Sequence, residues 1–431
     1  MFEPDSLTPS ESSQHLSRKK KRNINYDVLK TLILSLIGTR PIEDSLDGLC
    51  HREEQWAFLR GTARQHRLEP LLHERARYDG DRLAIPQDVQ AEWEEAFRAS
   101  AMSGLAHRVT LIRLDAILSE FGIAYAALKG ARLAWHAYSH PGLRPMRDLD
   151  VLVSPGRAMD AYDALVAKGF QTPSDSKLLV EFALRHHKHL PGLMDPQTGT
   201  SVEIHTRLFE DEGSTLNDST AFDCEKLLEN RVLLGLGNAQ IAYLTCTETL
   251  IHLIIHSTHE HLFDNGPQVL NDLATLINSG EIDWSYFWTV AAEAGLVRSC
   301  QLLLALTEKY HAIPNIDFPE SISGPVPSQI LQDTELLMLQ DFIRRGDLAV
   351  QRDLNKSRSS MRRANLWRRL TPARHVLAEF SGSRAGNPLA FIHYPLWFAS
   401  KLARTIRGVV DPVQRAEVVR ASRVEDWFKN A

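Results

Sequence analysis

The run Asp148-Leu149-Asp150-Val151-Leu152-Val153 constrains this chain more than any other stretch. Its apolar, β-branched content predicts a buried strand, and strand side chains alternate between two faces. Asp148 and Asp150 therefore project to the same side. Two adjacent carboxylates repel and raise one another's pKa, a cost commonly met by a bound cation. Hard oxygen donors, without His or Cys at ligand spacing beside them, favour magnesium over zinc. Taken alone, the D-x-D pattern describes a solvated edge strand with two surface acids at least as well, so its neighbours must decide.

A second alternation, Val202-Glu203-Ile204-His205, sends Glu203 and His205 to one face and Val202 and Ile204 to the other. Paired beside the first strand, it would bring Glu203 to both aspartates as a third acid. Lys129-Gly130 closes the predicted strand 123–128, where a turn and a helix start can present backbone N–H groups to phosphate. Arg144 and Arg147 stand just before the aspartates and add the positive charge that a triphosphate requires.

Around this core the pattern is helical. Apolar residues recur at helical spacing over 26–38 and 53–77, with Pro70 splitting the second segment, and over 89–121, where Gly104 is expected to break or kink the helix. From residue 122 the period shifts to strand-like alternation. A helix is expected over 131–138, and another opens at Pro155 and ends before Gly169. The turn formers Asp195-Pro196-Gln197-Thr198-Gly199 between 188–194 and 201–209 predict a β-hairpin. Helical spacing returns from Cys246 onward, interrupted by the proline-rich stretch 314–327. The expected division is a disordered basic tail (1–25), an N-terminal helical region (26–121), a catalytic core (122–235), a helical domain (236–312), a linker (313–330) and a C-terminal basic helical region (331–431).

Composition excludes several classes. A chain of 431 residues, 43% hydrophobic and 24% charged, buries a core of ordinary globular kind. A net charge of -5 is too small and of the wrong sign for a molecule that grips nucleic acid over its whole surface. Cys50, Cys224, Cys246 and Cys300 lack C-x-x-C spacing, which argues against a zinc knuckle or a secreted disulfide framework. Residues 1–25 are polar and lead into Arg18-Lys19-Lys20-Lys21-Arg22 without the apolar stretch of a signal peptide, so the chain reads as cytoplasmic. The apolar segment 389–399 is too short to span a bilayer and is expected to be a helix packed on its own protein.

Together, Leu128-Lys129-Gly130, then Arg144-Pro145-Met146-Arg147-Asp148-Leu149-Asp150-Val151-Leu152-Val153, then Val202-Glu203-Ile204-His205, resemble the uncharacterised nucleotidyltransferase family of the DNA polymerase β-like superfamily. The likeness continues through Leu250-Ile251-His252-Leu253-Ile254-Ile255-His256, Leu270-Asn271-Asp272-Leu273-Ala274 and Ile282-Asp283-Trp284. It implies an α+β fold, a mixed sheet with helices flanked by helical regions. It also implies a catalytic and metal set of Asp148, Asp150 and Glu203 holding two Mg2+ ions. Lys129, Gly130, Arg144 and Arg147 would bind the nucleotide. The activity implied is transfer of a nucleoside monophosphate from a triphosphate, with ATP first in line, to a hydroxyl-bearing acceptor, releasing pyrophosphate. The superfamily's turn usually carries Gly-Ser, whereas Gly130 is followed by Ala131, and Lys129 is expected to take over from the missing hydroxyl.

Two further features are weighed on their chemistry. His252, His256, His259 and His261 are read as a packed helix, with His256 and Asp272 fixing the helical domain against the catalytic core, in preference to a second metal site. The basic run within 352–374, Arg352 to Arg369 with Trp367, is read as a solvated helix face in preference to a nucleic acid or membrane contact. The competing function is a catalytically silent nucleotide-binding scaffold within a biosynthetic complex.

Overall fold

The computed structural model describes residues 25–42, 52–172, 177–210, 220–316, 318–320, 322, 324–341, 377 and 388–429. All of the expected tail except Asn25, and the basic run 352–374, lie outside the described residues.

Helix α1 (Tyr26–Ile37) begins at Asn25, whose side chain accepts from the backbone N–H of Asp27 at 3.2 Å. Helices α2 (Glu53–His66) and α3 (Glu69–Asp79) divide where Pro70 enters the first turn of α3, a position whose N–H would be unsatisfied anyway. Helix α4 (Gln87–Glu120) is an unbroken rod, about 50 Å long at 1.5 Å per residue. The expected break at Gly104 is absent. That glycine is buried, and the turn Pro141–Leu143 packs against this part of the helix through Gly142, where a Cβ would stand 3.0 Å from Ala101 Cβ. The first part of α4 buries Val89 and Trp93 in the helical core, and the second buries Leu111, Leu114, Ile117 and Leu118 under the sheet. One helix therefore serves both cores.

Strand β1 (Tyr125–Ala127) leads through Lys129 into α5 (Gly130–His136) and then β2 (Asp148–Val153). Helix α6 (Ala158–Ala167) follows a short turn at Pro155, and α7 (Lys177–His186) precedes β3 (Leu193–Met194) and β4 (Ser201–His205). The hairpin forms as expected but with a shorter first arm. Its turn is anchored by Asp195, which is fully buried and takes Arg113 of α4 at 2.5 Å and the hydroxyl of Thr110 at 2.9 Å. After α8 (Cys224–Glu229) come β5 (Val232–Leu236) and β6 (Ala239–Tyr243), a hairpin that the sequence reading did not assign. Val232-Leu233-Leu234-Gly235-Leu236 is apolar throughout, and such a run does not distinguish strand from helix.

The strands form one mixed sheet in the order β3-β4-β2-β1-β6-β5. Strands β2 and β4 run parallel, as do β1 and β6, while the other neighbours are antiparallel. Leu149, Val151 and Val153 of β2 and Val202 and Ile204 of β4 face α4 and α6, whereas Leu152 faces a smaller cluster with Leu227 and Leu228. The fold is thus α+β, a mixed sheet with helices on its flanks, in agreement with the sequence reading.

Beyond the sheet lie α9 (Cys246–Ile255), α10 (Gln268–Asn278), α11 (Trp284–Glu293), α12 (Val297–Tyr310) and α13 (Ser328–Met338). They share a single hydrophobic core with α1, α2 and α3 and with Ala421 and Val424 of the helix Pro412–Lys429. Among the described residues no helix is long and apolar enough to cross a membrane.

Candidate active site

Parallel pairing of β2 with β4 places Asp150 directly opposite Glu203, and Asp148 opposite Ser201. Because both strands turn Leu149, Val151, Val202 and Ile204 into the core beneath, the acids emerge on the other face, with His205 beside them. They open into a cavity of about 500 Å³ whose far wall is the helical region. The expected site residues Lys129, Gly130, Arg144, Arg147, Asp148, Asp150 and Glu203 all line this one cavity.

Asp150 is buried and doubly held. Lys129 Nζ lies 2.9 Å from Oδ2, and His205 Nε2 lies 3.0 Å from Oδ1. Burial works to raise the carboxyl's pKa, but the two neighbouring cations outweigh it and hold Asp150 well below the usual carboxylate range. Asp148 shows the opposite balance: burial, Asp150 and Glu203 push it up. Glu203 is lowered, chiefly by His205, and its Oε2 lies 3.7 Å from both His205 Nε2 and His189 Nε2. Burial works against the charged form of His205, yet Asp150 beside it raises its pKa.

Lys129 owes its reach to an unusual backbone. At φ 45°, ψ -117° it occupies a region that glycine favours, which aims the side chain back across the sheet toward Asp150. Gly130 follows because a Cβ there would stand 2.9 Å from Met146 Cγ and 3.1 Å from Arg144 Nη1. Arg144 is already engaged: its Nε and Nη2 donate to the two oxygens of Asp272 at 2.9 and 2.8 Å, and Tyr138 Oη donates to the same carboxylate at 2.7 Å. Arg147 is exposed at the mouth and forms no ion pair among the described residues.

The donor set suits a divalent cation: ligand atoms of Asp150, Glu203 and His205 lie within 4.8 Å of one another, whereas Asp148, on the same face of β2, stands outside that group.

The helical wall carries groups to which the sequence reading gave no place in the site. After α9 the chain makes a π-helical turn (His256–Glu260) and then passes through two non-glycine residues of positive φ, Leu262 and Phe263. Glu260 binds Lys188 Nζ at 2.8 Å and His256 Nδ1 at 2.7 Å. The helical region is thereby tied to the sheet at two points, Arg144–Asp272 and Lys188–Glu260. His256, Glu260 and His261 also offer ligand atoms within 4.8 Å of one another, but Lys188 and His256 already satisfy Glu260. His205 was within reach of sequence reasoning, since it shares the alternation of Glu203. Lys188 and Glu260 carry no local signal.

Residues 52–311 match the model of a protein family described as uncharacterised nucleotidyltransferase. Among solved structures, the chain is similar to an antigenic nucleotidyltransferase-like protein from Paracoccidioides brasiliensis, at 16% identity over 47% of this chain and 91% of that one. The TM-score of 0.30 is too low for that likeness to carry an argument. No curated protein is matched by the sequence.

Proposed function

From the premise that the chain belongs to the family of uncharacterised nucleotidyltransferases, we propose that it is a magnesium-dependent enzyme moving a nucleoside monophosphate from a nucleoside triphosphate to a hydroxyl acceptor. The observation that carries the reading is the register of Asp150 against Glu203, with Asp148 two residues away on the same face of β2. Three acids held together in a cavity with lysine and arginine at its rim suit a bound metal and a polyphosphate better than they suit structural stability.

Asp148, Asp150 and Glu203 are the residues that would hold two magnesium ions. When bound, the metal supplies Lewis acidity and offsets charge at the reacting phosphate. Glu203, held ionised by His205, is placed to accept the acceptor hydroxyl's proton. The new bond joins the acceptor oxygen to the α-phosphorus as the bond to pyrophosphate breaks, and pyrophosphate departs with that electron pair. Arg147 offers positive charge to the triphosphate, while Lys129, paired with Asp150, would reach it only by exchanging that carboxylate for phosphate. Arg144 shapes the wall on which it rests, and Gly130 lets the turn close on Met146.

The test is incorporation of label from α-labelled ATP and the other α-labelled triphosphates, incubated with the protein and a cell extract. The expected result is a magnesium-dependent labelled product that EDTA prevents and that Asp148→Ala abolishes while its circular dichroism stays native. Equal labelling by Asp148→Ala would sink the assignment. Binding of ATP and magnesium with no product from any acceptor fraction would point to a nucleotide-binding scaffold.

A further inference from the structure

Deepening that reading, we infer that Arg67, from the N-terminal helical region, pairs with Arg147 to bind the pyrophosphate unit of the triphosphate and of the leaving group. Arg67 lines the same cavity as the acids, although it enters from α2 and not from the sheet. Its backbone is the first pointer. Helix α2 ends with Leu68 N–H donating to the Ala63 carbonyl at 2.9 Å, a closure that places the intervening residue in the left-handed region. That residue is ordinarily glycine; here it is Arg67, at φ 55° and ψ 40°. A side chain kept at a position that favours having none is a pointer to function.

The second pointer is charge. Arg67 is half-buried, its Nε is fully enclosed without a hydrogen-bond partner, and it has no ion pair among the described residues. Burial and the nearby guanidinium groups of Arg147 and Arg144 lower its pKa to about 10, against the weaker pull of Asp148. Arg144 is neutralised by Asp272, which leaves Arg67 and Arg147 as a like-charged pair facing the cavity. Two arginines without acids, one of them partly desolvated, are stabilised by a ligand carrying several anionic oxygens, and the planar guanidinium fork suits phosphate. A pyrophosphate unit supplies that charge, and Asp148 at the same rim sets the metal site beside it.

The inference rests on the proposed activity but can be tested apart from it, by titrating inorganic pyrophosphate with magnesium into the full-length protein in a calorimeter. Arg67→Gly and Arg67→Asn remove the guanidinium while suiting the left-handed backbone. Both are expected to keep or raise Tm and to weaken pyrophosphate binding by about tenfold or more. A folded variant of either kind that binds pyrophosphate as tightly as the parent overturns the inference, as does a parent that does not bind it. If the parent transfers labelled nucleotide yet ignores pyrophosphate, the role of Arg67 falls and the proposed activity stands. If it binds pyrophosphate through Arg67 yet transfers nothing, the reverse holds.

Discussion

The bridge between Arg144 and Asp272 joins residues 128 positions apart and allows a sharp stability test. Asp272 is almost fully buried and accepts three hydrogen bonds, two from the Arg144 guanidinium and one from Tyr138. Asp272→Ala would leave a largely buried guanidinium and a half-buried phenol without their acceptor. Breaking a buried ion pair by deleting one partner costs about 3–5 kcal/mol. At roughly 2 °C per kcal/mol for a large domain, Tm should fall by about 6–10 °C. Replacing both partners with apolar groups, as in Arg144→Met with Asp272→Leu, removes the stranded charge along with the bond, so the double variant should recover most of the loss. Thermal unfolding followed by near-ultraviolet circular dichroism of the parent, Arg144→Met, Asp272→Leu and the double variant completes the cycle. A single variant within about 2 °C of the parent, or a double variant whose loss equals the sum of the two singles, would refute the reasoning.

Stability should also depend on pH. Burial lowers the pKa of both His66 and His311 to about 4. The unfolded chain protonates them near pH 6.5, so their contribution is complete above that pH and declines as pH falls toward 4. Between pH 7 and pH 5 each should remove about 2 kcal/mol. Urea midpoints at the two pH values should differ accordingly, and should converge in a His66→Phe, His311→Phe variant; coincident midpoints in the parent would count against it. Gly130→Ala should cost about 1–3 kcal/mol by overpacking, because Asp272 keeps Arg144 from giving way. It should also raise the KM for ATP; an unchanged Tm and KM would mean that the turn is looser than its contacts indicate.

Much of the sheet was legible because its determinants are local. The alternation in residues 148–153 gives the strand's extent and the shared face of Asp148 and Asp150 without reference to any other part of the chain. The Asp195–Gly199 turn similarly announces its hairpin. What stayed hidden depends on pairing across distance. Nothing near Glu203 states that β4 runs parallel to β2 in the register that sets it against Asp150. Arg144 looked like a free phosphate ligand because its partner, Asp272, lies on a helix in a later region. Gly104 was misread because a single glycine costs a helix only about 1 kcal/mol, which the packing on both sides of it in α4 outweighs. The β5–β6 hairpin did have a cue, Gly237-Asn238, but uniformly apolar flanks concealed it.

The helical core that joins α1 to α13 and to the helix Pro412–Lys429 has a consequence for synthesis. Asp27 of α1 meets Arg420, 393 positions later, and Asp333 of α13 meets Arg423, so early helices are joined by a segment made much later. While the ribosome is at work, α12 and α13 wait without the helix Pro412–Lys429 that packs on them. A nascent chain broken off before that helix lacks Ala421 and Val424 in its hydrophobic core, even with every acid of the sheet already made. Products truncated before Pro412 should therefore unfold at lower temperature than the chain that carries this helix.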